Sequence, residues 1–159
     1  MLIAVISDSH DRINIVEQVL TDCADCEVLV HCGDFCAPFM MEVLAKFNGE
    51  VHCVFGNTDD RHKTTLQAQK HGIHLHGDIG VFKLDGVHFA CNHFPEIARA
   101  LAFSNQFDVV CFGHTHKAHQ EVIGSTLLLN PGELMGRFGS RSYAVYDTET
   151  RSVSFRDVK

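Results

Sequence analysis

The sequence predicts an α/β protein organised around a mostly parallel sheet, and three observations predict it. Five short apolar runs each stop at a polar cluster. Stretches with helical spacing lie between the early runs, which is the alternation expected of βαβ units. The last third instead alternates short strand-like runs with turns, so late antiparallel pairing is expected to supply a second sheet.

The first run, residues 2–6, is rich in Ile and Val and lacks helical spacing, as expected of a strand buried on both faces of a parallel sheet. It stops at Ser7-Asp8-Ser9-His10. Residues 11–20 then place Ile13, Val16, Val19 and Leu20 at helical spacing, with Asp11 as the expected cap. The second strand, 28–30, runs into His31-Cys32-Gly33-Asp34. Pro38 opens a helix expected to reach Phe47, with Met40, Met41, Val43 and Leu44 on its apolar face and Asn48-Gly49 at its end. The third strand, 51–55, exits into Gly56-Asn57-Thr58-Asp59. Residues 60–71 read as a polar helix closed by Gly72, followed by a short apolar stretch at 73–75.

Runs 81–84 and 87–90 flank Asp85-Gly86, a strong signal for a two-residue hairpin turn. The second arm continues into Cys91-Asn92-His93. Pro95 starts a helix through Phe103, and the strand at 109–112 ends at Gly113-His114-Thr115-His116. Short strands are expected at 120–123, 126–129, 142–146 and 152–155.

With 159 residues, 45% of them hydrophobic, and no repeat or linker, one domain spanning 1–159 is expected. The seven cysteines sit mostly in or beside apolar runs, and no signal peptide precedes the first strand, so reduced thiols in a cytoplasmic protein are expected. Cys23-x-x-Cys26 lacks a second pair at zinc-knuckle spacing, which favours packing over a redox or zinc role. A net charge of −7 argues against general nucleic-acid binding. No apolar run approaches the ~20 residues of a membrane span. The twelve histidines raise the expectation of a metal site.

In open α/β sheets ligands bind at the carboxyl ends of the strands. Those exits offer Asp8, His10, Asp34, Asn57, His93, His114 and His116, a set of oxygen and nitrogen donors without a thiolate. Such a set suits Mn²⁺, Fe²⁺ or Zn²⁺ rather than a structural zinc knot. Seven donors exceed one tetrahedral site, whereas two cations bridged by a shared carboxylate would use all of them. Asp34, on a central strand, is the natural bridge. Gly33, Gly56 and Gly113 each precede a donor where the backbone must turn sharply.

The ordered set from Asp8-x-His10 through Gly33-Asp34, Gly56-Asn57 and His93 to Gly113-His114-Thr115-His116 resembles the calcineurin-like metallophosphoesterases. The likeness is greatest to their small bacterial and archaeal phosphodiesterase branch, to which the eukaryotic retromer subunit is related. It implies a four-layer α/β/β/α sandwich with two mixed sheets. It also implies one cation on Asp8, His10, Asp34 and His116 and a second on Asp34, Asn57, His93 and His114. The implied cofactors are two divalent ions, Mn²⁺ first, with Fe²⁺, Zn²⁺ and Ni²⁺ as alternatives. The implied chemistry is attack of a metal-bridging hydroxide on phosphorus in a small-molecule phosphodiester.

The chain departs from larger relatives in carrying Thr58 where many have a histidine after the metal-binding asparagine. General acid catalysis is worth about 10² to 10⁴, so good leaving groups are expected to be cleaved much faster than alkoxides. Asn92 and Phe94 stand where the family usually has Thr and Gly, and Glu133 stands where relatives commonly have Ser. The alternative reading is a protein-binding scaffold of the same fold, and the completeness of the donor set argues for the enzyme. The other histidines (His31, His52, His62, His71, His74, His76, His88, His119) read as surface or supporting groups, with His31 placed to orient a ligand. Neutral imidazole ligands imply activity falling as pH drops through roughly 6. Exposed sheet edges leave room for a homodimer.

Overall fold

The computed structural model describes residues 1–158. In chain order the elements are β1 (Leu2–Ile6), α1 (Ile13–Asp22), β2 (Val28–His31), α2 (Met40–Leu44), β3 (Glu50–Cys53), α3 (Arg61–His71) and β4 (His74–Leu75). There follow β5 (Ile79–Leu84), β6 (Val87–Asn92), α4 (Pro95–Phe103), β7 (Val109–Cys111), β8 (His119–Ile123), β9 (Thr126–Asn130), β10 (Arg141–Asp147) and β11 (Ser152–Val158).

Two mixed sheets form, one of order β11-β10-β1-β2-β3-β4 and one of order β5-β6-β7-β9-β8. Strands β1 to β4 are parallel, as are β6, β7 and β9, with antiparallel partners at the margins. The strand period separates the core into layers. Ala4 and Ile6 pack toward the helices with Val16, Val19 and Met41, while Ile3 and Val5 pack against the second sheet with Phe89 and Leu129. Ala98 and Ala102 of α4 cover the far face of the second sheet over Val110 and Leu128. The layers are thus helices, sheet, sheet, helix, and the apolar runs at 2–6 and 28–30 are buried on both faces as the sequence predicts.

Several local expectations need correction. Asp11 does not cap α1; it has φ +58° and its Oδ1 accepts from the Ala37 N–H, 2.9 Å away, tying the β1 exit to the loop before α2. The helix after Pro38 is shorter than expected, since turns flank Met40–Leu44 on both sides. The last two strands do not extend the second sheet. Strand β10 pairs antiparallel with β1, Leu2 opposite Asp147, and β11 completes that edge. Asp85-Gly86 does make the two-residue turn, with φ +46° and +80°, and Gly72 closes α3 at φ +70°. Cys23 and Cys26 are buried free thiols in the helix-side core. Among the described residues no helix is long and apolar enough to cross a membrane.

Candidate metal centre

The carboxyl ends of β1, β2, β3, β6 and β7 deliver their polar clusters to one place. The turns that do so are held in left-handed backbone at non-glycine residues: Asp8 (φ +52°), His10 (+40°), Asp34 (+58°), His114 (+67°) and His116 (+60°). Such conformations cost about 1–3 kcal/mol each and persist where the surroundings over-determine them. The surroundings here are a set of crossed hydrogen bonds. The Asp8 and His10 N–H groups donate to the carbonyls of Gly33 and Asp34 at 3.1 and 3.0 Å, and Met135 N–H donates to the Asp8 carbonyl at 2.9 Å.

Asp59, unassigned by the sequence reading, joins two of these loops. Its Oδ2 accepts from the N–H groups of Asp34 (3.1 Å) and Gly56 (2.7 Å), and its Oδ1 from Cys36 (2.7 Å). His31 ties the β1 exit to the β2 exit. The Gly33 N–H donates to His31 Nδ1 (3.1 Å), which leaves the proton on Nε2 for Ser9 Oγ (2.9 Å). Burial holds His31 down to about 3, so the ring stays neutral in both roles. Asn130 supports the fifth loop by donating to the Gly113 carbonyl (2.9 Å) and Thr115 Oγ1 (3.1 Å).

The expected donors fall into two groups that share Asp34. His10 Nε2 lies 3.5 Å from Asp34 Oδ2 and 4.0 Å from Asp8 Oδ1, and His116 Nε2 lies 3.3 Å from Asp8 Oδ1. On the other side His93 Nε2 lies 3.5 Å from Asp34 Oδ1, and Asn57 Oδ1 lies 3.1 Å from His93 Nε2 and 3.0 Å from His114 Nδ1. All seven sequence-derived donors are therefore brought together. Asp8, Asp34 and His93 are buried, whereas Asn57 and His114 face solvent.

Two histidines have their lone pairs aimed. His93 Nδ1 is 2.8 Å from the Cys32 carbonyl, which can only accept, so the proton is on Nδ1 and the Nε2 lone pair faces Asp34. His116 Nδ1 lies 2.7 Å from Oε2 of Glu133, a side chain only 1% exposed. Burial opposes ionisation of Glu133, yet the His116 ring and backbone N–H groups outweigh it and hold the carboxyl below its ordinary value. The ionised Glu133 accepts from His116 and turns that ring's Nε2 toward Asp8. Glu133 also accepts from the Phe138 N–H at 2.6 Å.

These groups fit a cation. Asp8 Oδ1 and His10 Nε2 are buried atoms with no hydrogen-bond partner among the described residues, a costly arrangement unless a positive charge lies between them. Burial pushes the Asp8 carboxyl up to about 7, the charge of Asp34 adds to this, and the neighbouring Ser7 hydroxyl and the His114 N–H oppose it. Burial pulls His10 and His93 below the usual imidazole range, which keeps them neutral and ready to ligate. Asp8 with His10 and His116, and Asp8 with Asp34 and His93, each bring their donor atoms within 4.8 Å of one another.

Phe94 after His93 is accommodated without glycine-like backbone. It sits at φ −91°, ψ 132°, its N–H bonded to Asn92 Oδ1 at 2.7 Å, and its ring packs 5.1 Å from that of His114. Thr58 donates its N–H to Asp34 Oδ1 at 3.0 Å. Of the histidines expected to be surface or supporting groups, His52 is only 4% exposed and packs against both His74 and His76, with ring centroids 4.8 and 5.1 Å away.

A four-layer sandwich that gathers carboxylate, imidazole and amide donors at one end of its strands has the layout of a metallophosphoesterase. The calcineurin-like phosphoesterase superfamily domain matches residues 1–151, and the chain belongs to that family. It is similar to phosphodiesterase MJ0936 of Methanocaldococcus jannaschii, 28% identical over 159 residues that cover 95% of both chains. The solved structure of an archaeal phosphodiesterase superposes with a TM-score of 0.91 at 25% identity, covering 99% of each chain. Vps29 of Entamoeba histolytica, solved with zinc, shares the fold at a TM-score of 0.70 and 19% identity, over 99% of this chain and 98% of that one.

Proposed function

We propose that the chain is a phosphodiesterase that works with two divalent cations, Mn²⁺ first among them, and hydrolyses a P–O bond of a small-molecule phosphodiester. The observation that carries this reading is the sharing of Asp34 between two donor groups, its Oδ2 toward His10 and its Oδ1 toward His93. Asp8, His10, Asp34 and His116 would hold one cation, and Asp34, Asn57, His93 and His114 the other. Bound there, the pair supplies an acidified water and Lewis acidity for in-line attack on phosphorus.

The chain's own groups do the rest. Glu133 and the Cys32 carbonyl fix the tautomers of His116 and His93, so two ligands need no reorganisation when a cation arrives. Asn57 offers a neutral oxygen, which limits the negative charge facing an anionic substrate. Thr58 occupies the place after Asn57 with its hydroxyl 3.2 Å from Cys36 Sγ, and neither group is a strong acid, so the leaving oxygen departs without a proton from this position. Phe138 stands edge-on to His116 with centroids 5.2 Å apart and is 65% exposed, so with Phe94 beside His114 it offers an aromatic wall at the mouth of the site. Aryl leaving groups suit both features.

The test compares bis(p-nitrophenyl) phosphate with p-nitrophenyl phosphate after chelation and after reloading with Mn²⁺, with His114→Ala as control. Diester hydrolysis that needs the metal and falls at least about 10²-fold in the control is expected. A chain that takes up cations but hydrolyses neither compound, nor any other phosphodiester, would overturn the proposal in favour of a binding scaffold.

A further inference from the structure

A second cluster of donors lies away from the Asp34 centre, toward the amino end of β3 at the open edge of the sandwich. Glu50 and His52 are two apart on β3 and so share a face, and His52 pairs in register with His74 on the neighbouring parallel strand β4. The shared face is the one turned toward the second sheet. His52 packs against Phe82 of β5 with the rings tilted and their centroids 4.2 Å apart, and Phe82 stacks on Phe89 at 5.8 Å. Glu50 Oε1 lies 3.1 Å from His52 Nε2 and 3.2 Å from His74 Nε2. Zinc bonds of about 2.0–2.2 Å with tetrahedral angles place neighbouring donor atoms roughly 3.4 Å apart, so the spacing suits one ion.

The ring at the centre is prepared for this. The His52 side chain is 6% exposed, and its Nε2 has no hydrogen-bond partner among the described residues. Its other nitrogen, Nδ1, lies 2.8 Å from His76 Nε2. With the proton on Nδ1 and donated to His76, the His52 Nε2 lone pair points at Glu50 Oε1, and two acceptors then face each other across 3.1 Å. That contact is repulsive without a cation and favourable with one. Burial depresses His52 to about 4, so no proton takes the cation's place near neutral pH. His76 then plays the part that a carboxylate or carbonyl commonly plays behind a ligating histidine.

We propose that Glu50, His52 and His74 form a separate site for one borderline divalent cation of the Zn²⁺ class, with a fourth position open to solvent and His76 orienting His52. Imidazole with a single carboxylate is the donor set zinc accepts when three protein ligands leave a position free. Because the ligands come from β3 and from the two-residue edge strand β4, the bound ion would clamp the margin of the first sheet.

The test is a Zn²⁺ titration of the full chain against a chromophoric chelator, in the wild type and in Glu50→Gln and His74→Ala. Both replaced side chains are about half exposed, so neither change opens the core. Cations held at the Asp34 centre cancel in the comparison. Each variant is expected to bind one equivalent fewer than the wild type, or to hold that equivalent at least 10-fold more weakly. The His52 ring nitrogen resonances are expected to shift in the wild type at zinc concentrations that leave them in place in both variants. Equal stoichiometry and affinity in all three proteins, with unmoved His52 resonances, would overturn the proposal.

Discussion

Glu133 shows how a residue outside the donor set sets its geometry. Its carboxylate receives the His116 Nδ1 proton at 2.7 Å and is itself held by the Phe138 N–H. Partners of this kind typically cost 10- to 100-fold in metal affinity when replaced. Glu133→Gln is therefore expected to weaken cation binding by about that factor while the chelated protein keeps its fold; equal affinities in calorimetric titration would contradict the role. Asp8 governs the pH response. Its carboxyl is pushed up to about 7 by burial, so the metal-free protein carries a proton there at lower pH, and a cation must displace it. His10 and His93, pulled down by burial, offer no such competition in that range. Cation affinity should weaken as pH falls through about 7, above the value of roughly 6 that ordinary imidazole ligands would imply. Titrations that give one affinity from about pH 8 to about pH 6 would exclude this.

At this scale the seven donors were legible because each follows a buried run that stops abruptly. Glu133 and Asp59 were not, because what defines them is a partner distant in sequence or a backbone N–H that appears only once the loops have folded. Of the two readings open for His52, surface or supporting group, the fold excludes the first, because both faces of this sheet are covered and a side chain in either direction is buried.

The loops at the strand exits are the elements on which the site depends, and their turns are tight enough to exclude a methyl group. A Cβ added at Gly56 would overlap the Asp34 backbone nitrogen and its Oδ1, and one at Gly113 would overlap Ser7 Oγ. The sequence marked Gly33, Gly56 and Gly113 as turn residues, but only Gly33, at φ +93°, needs glycine for its backbone angle. Gly56 and Gly113 are required by space. Gly56→Ala should therefore move Asp34, destabilise the chelated protein by about 1–3 kcal/mol and weaken cation binding. Denaturant unfolding checks the first effect and metal titration the second, and unchanged values in both would contradict the packing argument. The left-handed angles at Asp8, His10, Asp34, His114 and His116 were not legible in the sequence, since Asp and His enter that region more readily than most side chains but far more often lie outside it.

Across the whole molecule, the alternation of strands and helices in the first half made the parallel core of the first sheet legible. The return of β10 to pair with β1 was not, because a run such as 142–146 carries no sign of which edge it will cover. That return has a consequence for the site. It places β1 in the interior of a six-stranded sheet rather than at its edge, with β2 on its other side, and so fixes the strand that carries Asp8 and His10 from both flanks. Two sheets then face each other with the exits of β1, β2 and β3 on one and of β6 and β7 on the other. Asp34 belongs to the first sheet and His93 and His114 to the second, so the proposed pair of cations would join the two halves of the sandwich.

Electron paramagnetic resonance of the chelated protein titrated with Mn²⁺ tests that arrangement most directly. Two Mn²⁺ ions sharing the Asp34 carboxylate are close enough to couple their spins, roughly 3.5–4 Å apart in two-metal hydrolytic sites. A coupled-pair signal is expected that grows as the second equivalent is added and is lost in Asp34→Asn. Signals from isolated ions at every loading, with Asp34→Asn indistinguishable from the wild type, would contradict it.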